Sequence, residues 1–210
     1  MLHFMNVAHG LDVEPPVKFF PPNANAQGLI VVDGVAYVAT TNGCGGVANG
    51  IWALDLDSKQ VASWKAGGGV AGSAGPAMGP DGTLYVATTE GELAALEPKT
   101  LKLKDSYMAG KQGFTSSPVI FEYKSKALLA AATKDGRMHL LDTAALGGAD
   151  RQTPLYKTDV DPKATDFVAG ALASWLDAGG TRWVLAPTAG AIVAWKVVDR
   201  SGAPVLEPGW

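Results

Sequence analysis

The chain has 210 residues, 47% of them hydrophobic, so it can bury a substantial core and a disordered chain is not expected. Its 17 Lys and Arg side chains against 20 Asp and Glu give a net charge of −3, without the basic runs that nucleic acid or anionic lipid would require. Cys44 is the single cysteine, which excludes an internal disulfide and a CxxC motif.

The N-terminal residues do not have the pattern of an export signal, because no basic region precedes an apolar run and a cleavage site. No apolar stretch is long enough to span a bilayer. We therefore expect no transmembrane segment and no nucleic-acid partner.

Residues 1–27 carry two proline pairs around an apolar run. We interpret them as the end of a blade that precedes the four repeats described below, together with its crossing loop.

Four later segments align without gaps, with Ala in the fourth position and Gly in the eighth. They are Ala36–Gly43, Leu84–Gly91, Leu129–Gly136 and Trp183–Gly190. Their final glycines are 45 to 54 residues apart, a spacing that fits one four-stranded sheet per repeat. The repeats predict an all-β chain of about four β-propeller blades, each a four-stranded antiparallel sheet.

A second apolar run follows each glycine and is predicted as the third strand of its blade. These runs begin at Ile51, Leu93, Met138 and Ile192. The turns Asn42-Gly43 and Asp135-Gly136 are expected to supply the positive φ angles of a tight hairpin. Upstream, Asp33-Gly34, Asp81-Gly82 and Gly179-Gly180 mark another turn, which follows an innermost strand rich in small residues.

The innermost strands are predicted at Ser73–Ala77 and Thr115–Val119, where small residues precede a proline. An aromatic residue closes three of the repeats in the outermost strand, at Trp64, Tyr107 and Tyr156. Large aromatics can fill the widening wedge between neighbouring blades, so we predict that these three residues dock one blade on the next.

Together these elements resemble the repeats of quinoprotein alcohol dehydrogenase-like (PQQ-binding-like) β-propellers. The order Tyr37–Gly43, Trp52–Asp55, Ser58-Lys59 and Trp64 follows the family's repeat closely, and the resemblance covers about residues 28–210. It implies part of an eight-bladed ring, built from repeats at about 28–68, 69–112, 113–160 and 161–210 that form one incomplete domain. It also implies a bacterial protein that is periplasmic or secreted when intact, although the chain itself indicates no compartment.

In the family's dehydrogenases, pyrroloquinoline quinone (PQQ) lies on the central axis beside Ca²⁺, and an Asp acts as base. No acidic cluster here can be matched to those metal ligands, so the sequence predicts neither a catalytic residue nor a metal site. The residues themselves do not imply a cofactor, and PQQ and Ca²⁺ are implied by the family resemblance alone. The candidates for ligand-facing positions are Ser73, Thr115, Ser116 and Ser117.

The sequence therefore predicts a binding or scaffold module more than an enzyme. Its expected partner is another protein, a set of missing blades or a second copy of the chain. The alternative is part of a PQQ- and Ca²⁺-dependent alcohol or sugar dehydrogenase, in which case the quinone and the metal would be bound by the intact propeller.

Overall fold

The computed structural model describes residues 1–160 and 170–210, which form four antiparallel sheets joined by turns and loops. The first sheet contains β1 (Asn25–Val32), β2 (Val35–Thr41), β3 (Gly50–Asp55) and β4 (Val61–Lys65). The second contains β5 (Ala77–Met78), β6 (Leu84–Ala87), β7 (Glu92–Leu96) and β8 (Leu103–Met108). The third contains β9 (Val119–Tyr123), β10 (Lys126–Ala132), β11 (Met138–Asp142) and β12 (Tyr156–Lys157). The fourth contains β13 (Ala173–Leu176), β14 (Arg182–Pro187), β15 (Ile192–Arg200) and β16 (Ala203–Pro208).

Each sheet pairs its strands in chain order, so each is a simple antiparallel meander. The predicted all-β class and the four four-stranded sheets are therefore confirmed. A short 3₁₀ turn, Cys44–Gly46, follows β2. Within the described residues, no helix has the length and apolar character needed to cross a membrane. The fourth predicted repeat starts at residue 161, and its residues 161–169 lie outside the described part of the chain.

The innermost strands are shorter than the sequence suggested. Strands β5 and β9 begin at Ala77 and Val119, the last residues of the two predicted segments. The preceding residues run beside their sheets with isolated bridges instead, such as Phe114 to Thr133. Proline explains the difference, because Pro76 and Pro118 lack the N–H that continuous strand pairing requires.

The hairpin between the second and third strands takes a different form in different repeats. Asn42 and Gly43 both have positive φ, of 63° and 59°, as predicted. The prediction for Asp135 is wrong, because only Gly136, at 78°, has positive φ in that turn. Because Gly136, in the last position of this longer turn, adopts the left-handed conformation, Asp135 before it does not need to.

Neighbouring sheets pack face to face, and the packing has one direction. The face of the first sheet that contains Tyr37 packs on the face of the second sheet that contains Leu84. The opposite face of the second sheet, with Tyr85, packs in turn on the Leu129 face of the third sheet. We call the face that packs on the following sheet the forward face, and the other the rear face.

The fourth sheet is shifted by one residue from the gapless alignment. Thr88 exchanges three hydrogen bonds with Glu92, and Thr188 exchanges the same three with Ala191, one residue closer. Thr188 is therefore the counterpart of Thr88, and Val184 is the counterpart of Leu84. Val184 accordingly packs on the forward face of the third sheet. The predicted correspondence of the fourth repeat is wrong, because its hairpin is one residue shorter and a one-residue shift moves each side chain to the other face.

The N-terminal segment covers the rear face of the first sheet. Residues 2–17 form a hairpin through backbone bonds between Leu2 and Val17 and between Asn6 and Leu11. Leu2, Val17, Phe19 and Phe20 then pack over a cluster that contains Ala36, Val38, Trp52 and Leu54. The segment thus occupies the position that a preceding sheet occupies elsewhere in the chain.

Candidate functional site

The four candidate ligand-facing residues have different surroundings. Ser73 is exposed and Thr115 is half-buried, whereas Ser116 and Ser117 are buried. The hydroxyl oxygen of Ser116 accepts a hydrogen bond from the Ala132 amide at 2.9 Å. Only Ser73 and Thr115 therefore remain in contact with solvent.

Ser117 holds two innermost segments together. Its Oγ accepts a hydrogen bond from the Ala74 amide at 3.1 Å and donates to the Ala71 carbonyl at 3.3 Å. Gly72 lies between these two partners with a φ of +73°, and a Cβ there would lie 2.7 Å from the Gly170 carbonyl oxygen. The close approach requires glycine at position 72.

Thr115 belongs to a small cavity at the ends of the first three sheets. The cavity has a volume of about 240 Å³, and its polar lining includes Gln27, Asn42, Thr89, Thr115 and Lys134. Typical small-molecule sites begin at about 300 Å³, so this cavity is small for a cofactor. Its Lys134 ammonium and its hydroxyl and amide groups suit a small polar or anionic group.

A buried hydrogen-bonded chain lies between the second and third sheets. The carboxylate of Asp135 only accepts, so the Thr133 hydroxyl donates its single proton to Oδ1 at 2.6 Å. Nε2 of His139 therefore donates to the Thr133 oxygen at 3.1 Å. Nδ1 is left to accept from the Tyr107 hydroxyl at 2.7 Å. This arrangement fixes one tautomer of a buried histidine.

Burial and the nearby Lys157 charge lower the pKa of His139 to about 4. Burial, with a contribution from Asp150, raises the pKa of Tyr107 to about 12. Both groups are neutral near pH 7 as a result, and neither is reached by solvent. The chain is therefore suited to holding two sheets together and not to exchanging protons with a substrate.

The predicted docking aromatics lie at boundaries between sheets. Trp64 is half-buried beside the core of the first and second sheets, and Tyr107 is buried between the second and third. Tyr156 is half-buried against the core of the third and fourth. Their contribution to docking stays a prediction.

Among residues 1–160 and 170–210, no group of three His, Cys, Asp or Glu side chains is placed to hold a metal ion.

The forward face of the fourth sheet is uncovered, and one repeated position makes this plain. Ile51, Leu93 and Met138 occupy corresponding positions, the first or second residue of a third strand; each is fully buried, and each lies in the core shared with the following sheet. Ile192 begins the third strand of the fourth sheet and is 57% exposed. An apolar side chain at the corresponding position is therefore not covered by another sheet within residues 1–160 and 170–210.

The same face has aromatic side chains four positions farther along its strands. Trp175 pairs with Trp183 across β13 and β14, and Trp183 pairs with Lys196 across β14 and β15, so all three belong to the forward face. Trp175 is 52% exposed and Trp210 is 65% exposed. Trp183 is buried, because Trp210 lies 6.4 Å from it, measured between ring centroids, and the Lys196 ammonium lies over its ring.

Sequence reasoning did not single out this surface, although a signal was present. The third-strand apolar residues recur with the blade period, and the fourth repeat has Ile192 at the corresponding position. Comparison of Ile192 with Ile51, Leu93 and Met138 could have identified the uncovered face.

No protein-family model and no curated protein sequence matches the chain. Similar solved structures include BamB from Moraxella catarrhalis, at 17% identity and a TM-score of 0.51, which aligns over 80% of this chain and 45% of BamB. The computationally designed Ika8 protein aligns at 13% identity and a TM-score of 0.57, over 90% of this chain and 50% of Ika8. The chain thus spans about half the length of each. At these identities the likeness concerns fold alone, and the fold is that of β-propeller blades.

Proposed function

We propose that this chain is a binding or scaffold module whose four blades hold a protein partner on the forward face of the fourth sheet. The observation that carries the proposal is the exposure of Ile192 at a position where Ile51, Leu93 and Met138 are fully buried. Three of the four forward faces pack on a neighbouring sheet, so the fourth has the shape and chemistry to do the same.

The exposed side chains can supply the free energy of such binding. Full burial of a large apolar side chain stabilises by about 1.5 to 3 kcal/mol, so Trp175, Ile192 and Trp210, each already about half covered, would together contribute about 3 kcal/mol. Large aromatics are enriched among the residues that dominate binding at protein interfaces. Exposed apolar patches of this kind mark interaction sites on soluble proteins.

The blade arrangement supports a wider proposal about the intact assembly. Residues 28–210 form one incomplete domain, residues 1–27 form the end of a preceding blade, and the complete ring contains eight blades. The alignments over about half of two solved structures support this blade number.

Oxidative footprinting by hydroxyl radicals tests the proposed function. In the purified, dilute chain, Trp175 and Trp210 should be labelled readily, because both are exposed. In the cells that produce the protein, both should be protected at least threefold by a bound partner. Met108, an exposed residue on the second sheet, is the control and should be labelled equally in both samples. Equal labelling of Trp175 in the two samples would contradict the proposal.

A further inference from the structure

We propose that the partner on this surface is a second copy of the chain, bound head to tail so that two four-blade arcs close one ring. This inference rests on the proposed function and identifies its partner. In each copy, the forward face of the fourth sheet contacts the N-terminal hairpin, residues 2–17, of the other copy.

The direction of packing selects this contact. Within the chain, a forward face always meets a rear face, as with Tyr37 on Leu84 and Tyr85 on Leu129. The forward face of the fourth sheet therefore fits the other end of an arc and not a second forward face. At that other end of the arc, the N-terminal segment covers the rear face of the first sheet.

The N-terminal hairpin has the composition of a contact surface. Its large apolar residues alternate with inward-facing ones or lie near its tip, and the exposed members are Met5, Val7, Leu11 and Val13. A hairpin that served only as a cap would present polar side chains to water.

The available area favours a closed pair. Four strands at a spacing of about 4.8 Å, with about six residues each at about 3.3 Å, give a footprint of about 400 Å². A stable interface covers about 800 Å² per partner, so one contact is too small and two contacts suffice. Two contacts related by a two-fold axis arise only when head-to-tail binding closes after two copies. Two arcs, each about half of a solved structure in length, satisfy this condition.

The test is the molar mass of the purified full chain, measured by light scattering over a range of concentrations. We expect twice the 21.7 kDa of one chain. Ile192→Glu on the fourth sheet and Met5→Glu on the hairpin should each weaken dimerisation by about 100-fold. The dimer has two equivalent contacts, so each substitution buries one carboxylate in an apolar surface at both of them. Leu103→Glu, at an exposed position in β8, is the matched control and should leave the dimer intact.

Charge reversal across the contact separates head-to-tail binding from every other geometry. A chain that combines Ile192→Glu with Met5→Lys carries a carboxylate on its fourth sheet and an ammonium on its hairpin, so a head-to-tail pair brings opposite charges together at both contacts. We expect this chain to dimerise at concentrations where the Ile192→Glu chain is monomeric. Circular dichroism should show native β structure in each variant, and Trp175→Glu replaces Ile192→Glu if that chain does not fold.

A folded wild-type monomer at all concentrations overturns the inference, as does a dimer that Ile192→Glu leaves unchanged or a chain with Ile192→Glu and Met5→Lys that stays monomeric. These results are distinct from failure of the proposed function. A monomeric chain whose Trp175 is protected in cells has a different protein on its fourth sheet, whereas a monomeric chain that is unprotected in cells has no partner there.

Discussion

The Tyr107 hydroxyl donates to Nδ1 of His139 across 2.7 Å, and this contact joins two sheets through residues 32 positions apart in the sequence. Tyr107 belongs to β8 in the second sheet, and His139 belongs to β11 in the third. Their rings also contact Phe114, at 6.4 Å from Tyr107 and 5.8 Å from His139 between centroids. The boundary between these sheets thus combines apolar packing with a fully buried polar link.

The low pKa of His139 predicts a loss of stability in acid. Its pKa is about 4 in the folded protein and 6.5 in the unfolded chain, so the unfolded chain binds the proton first as the pH falls. The stabilisation is complete above pH 6.5 and is lost as the pH falls to 4, by about 3 kcal/mol at most. Urea unfolding at pH 7, 5.5 and 4 measures this change.

The control for this pH dependence is His139→Gln, which cannot titrate. The variant should be less stable at pH 7, yet it should lack the loss between pH 6.5 and 4. A parallel decline in the variant and the wild type would show that other groups cause it.

Tyr107→Phe should destabilise the protein by about 1 to 3 kcal/mol. The substitution keeps the ring in the core but removes the donor to His139, leaving a buried acceptor unsatisfied. Tyr156→Phe is the matched control at another sheet boundary and should change the free energy of unfolding by less than about 0.5 kcal/mol. Equal effects of the two substitutions in chemical denaturation would contradict the assigned hydrogen bond.

Gly72→Ala and Gly34→Ala together separate steric contact from backbone strain. Both glycines have a φ of +73°, but a Cβ at Gly34 meets no atom within 4 Å, whereas one at Gly72 meets the Ser117 amide and the Gly170 carbonyl. We expect a cost of about 1 to 2 kcal/mol for Gly34→Ala from strain alone. Gly72→Ala should exceed it by at least about 2 kcal/mol in thermal or urea unfolding. Similar costs would show that the two segments do not approach closely.

The register of the fourth sheet is tested by Val184→Ala and Leu185→Ala. Val184 is buried against the third sheet, while Leu185 lies half-buried on the forward face. Val184→Ala should therefore cost about 2 kcal/mol, and Leu185→Ala less than about 1 kcal/mol. The gapless alignment predicts the reverse order, so urea unfolding of the two variants decides between the registers.

The sequence was sufficient to predict the sheets because their determinants are local. Glycine turns such as Asn42-Gly43 and apolar third strands such as Leu93–Leu96 recur with the blade period, and each blade repeats the same short-range pattern. The register of the fourth sheet was not predictable in this way. A hairpin shortened by one residue leaves both apolar strands in place, and the shift is seen in the hydrogen bonds of Thr188 and in the packing of Val184 on the third sheet.

The surroundings of the candidate ligand-facing residues could not be predicted, because they depend on contacts between segments that are distant in the sequence. Nothing near Ser116 or Ser117 distinguishes a buried hydroxyl bonded to backbone from an exposed one, because both fit the same run of small residues. The exposure of the forward face of the fourth sheet was not singled out from the sequence, although the recurring third-strand positions contained a signal for it. Its exposed Ile192 has the same local sequence character as the buried Leu93.

Site-specific photo-crosslinking from position 175, in the cells that produce the protein, tests the central claim most directly. A photoreactive residue in place of the exposed Trp175 should form a protein adduct, and the same residue in place of the exposed Lys102 should not. An adduct at 175 alone means that the forward face of the fourth sheet binds a protein. No adduct at 175 above the level at 102 would contradict the account.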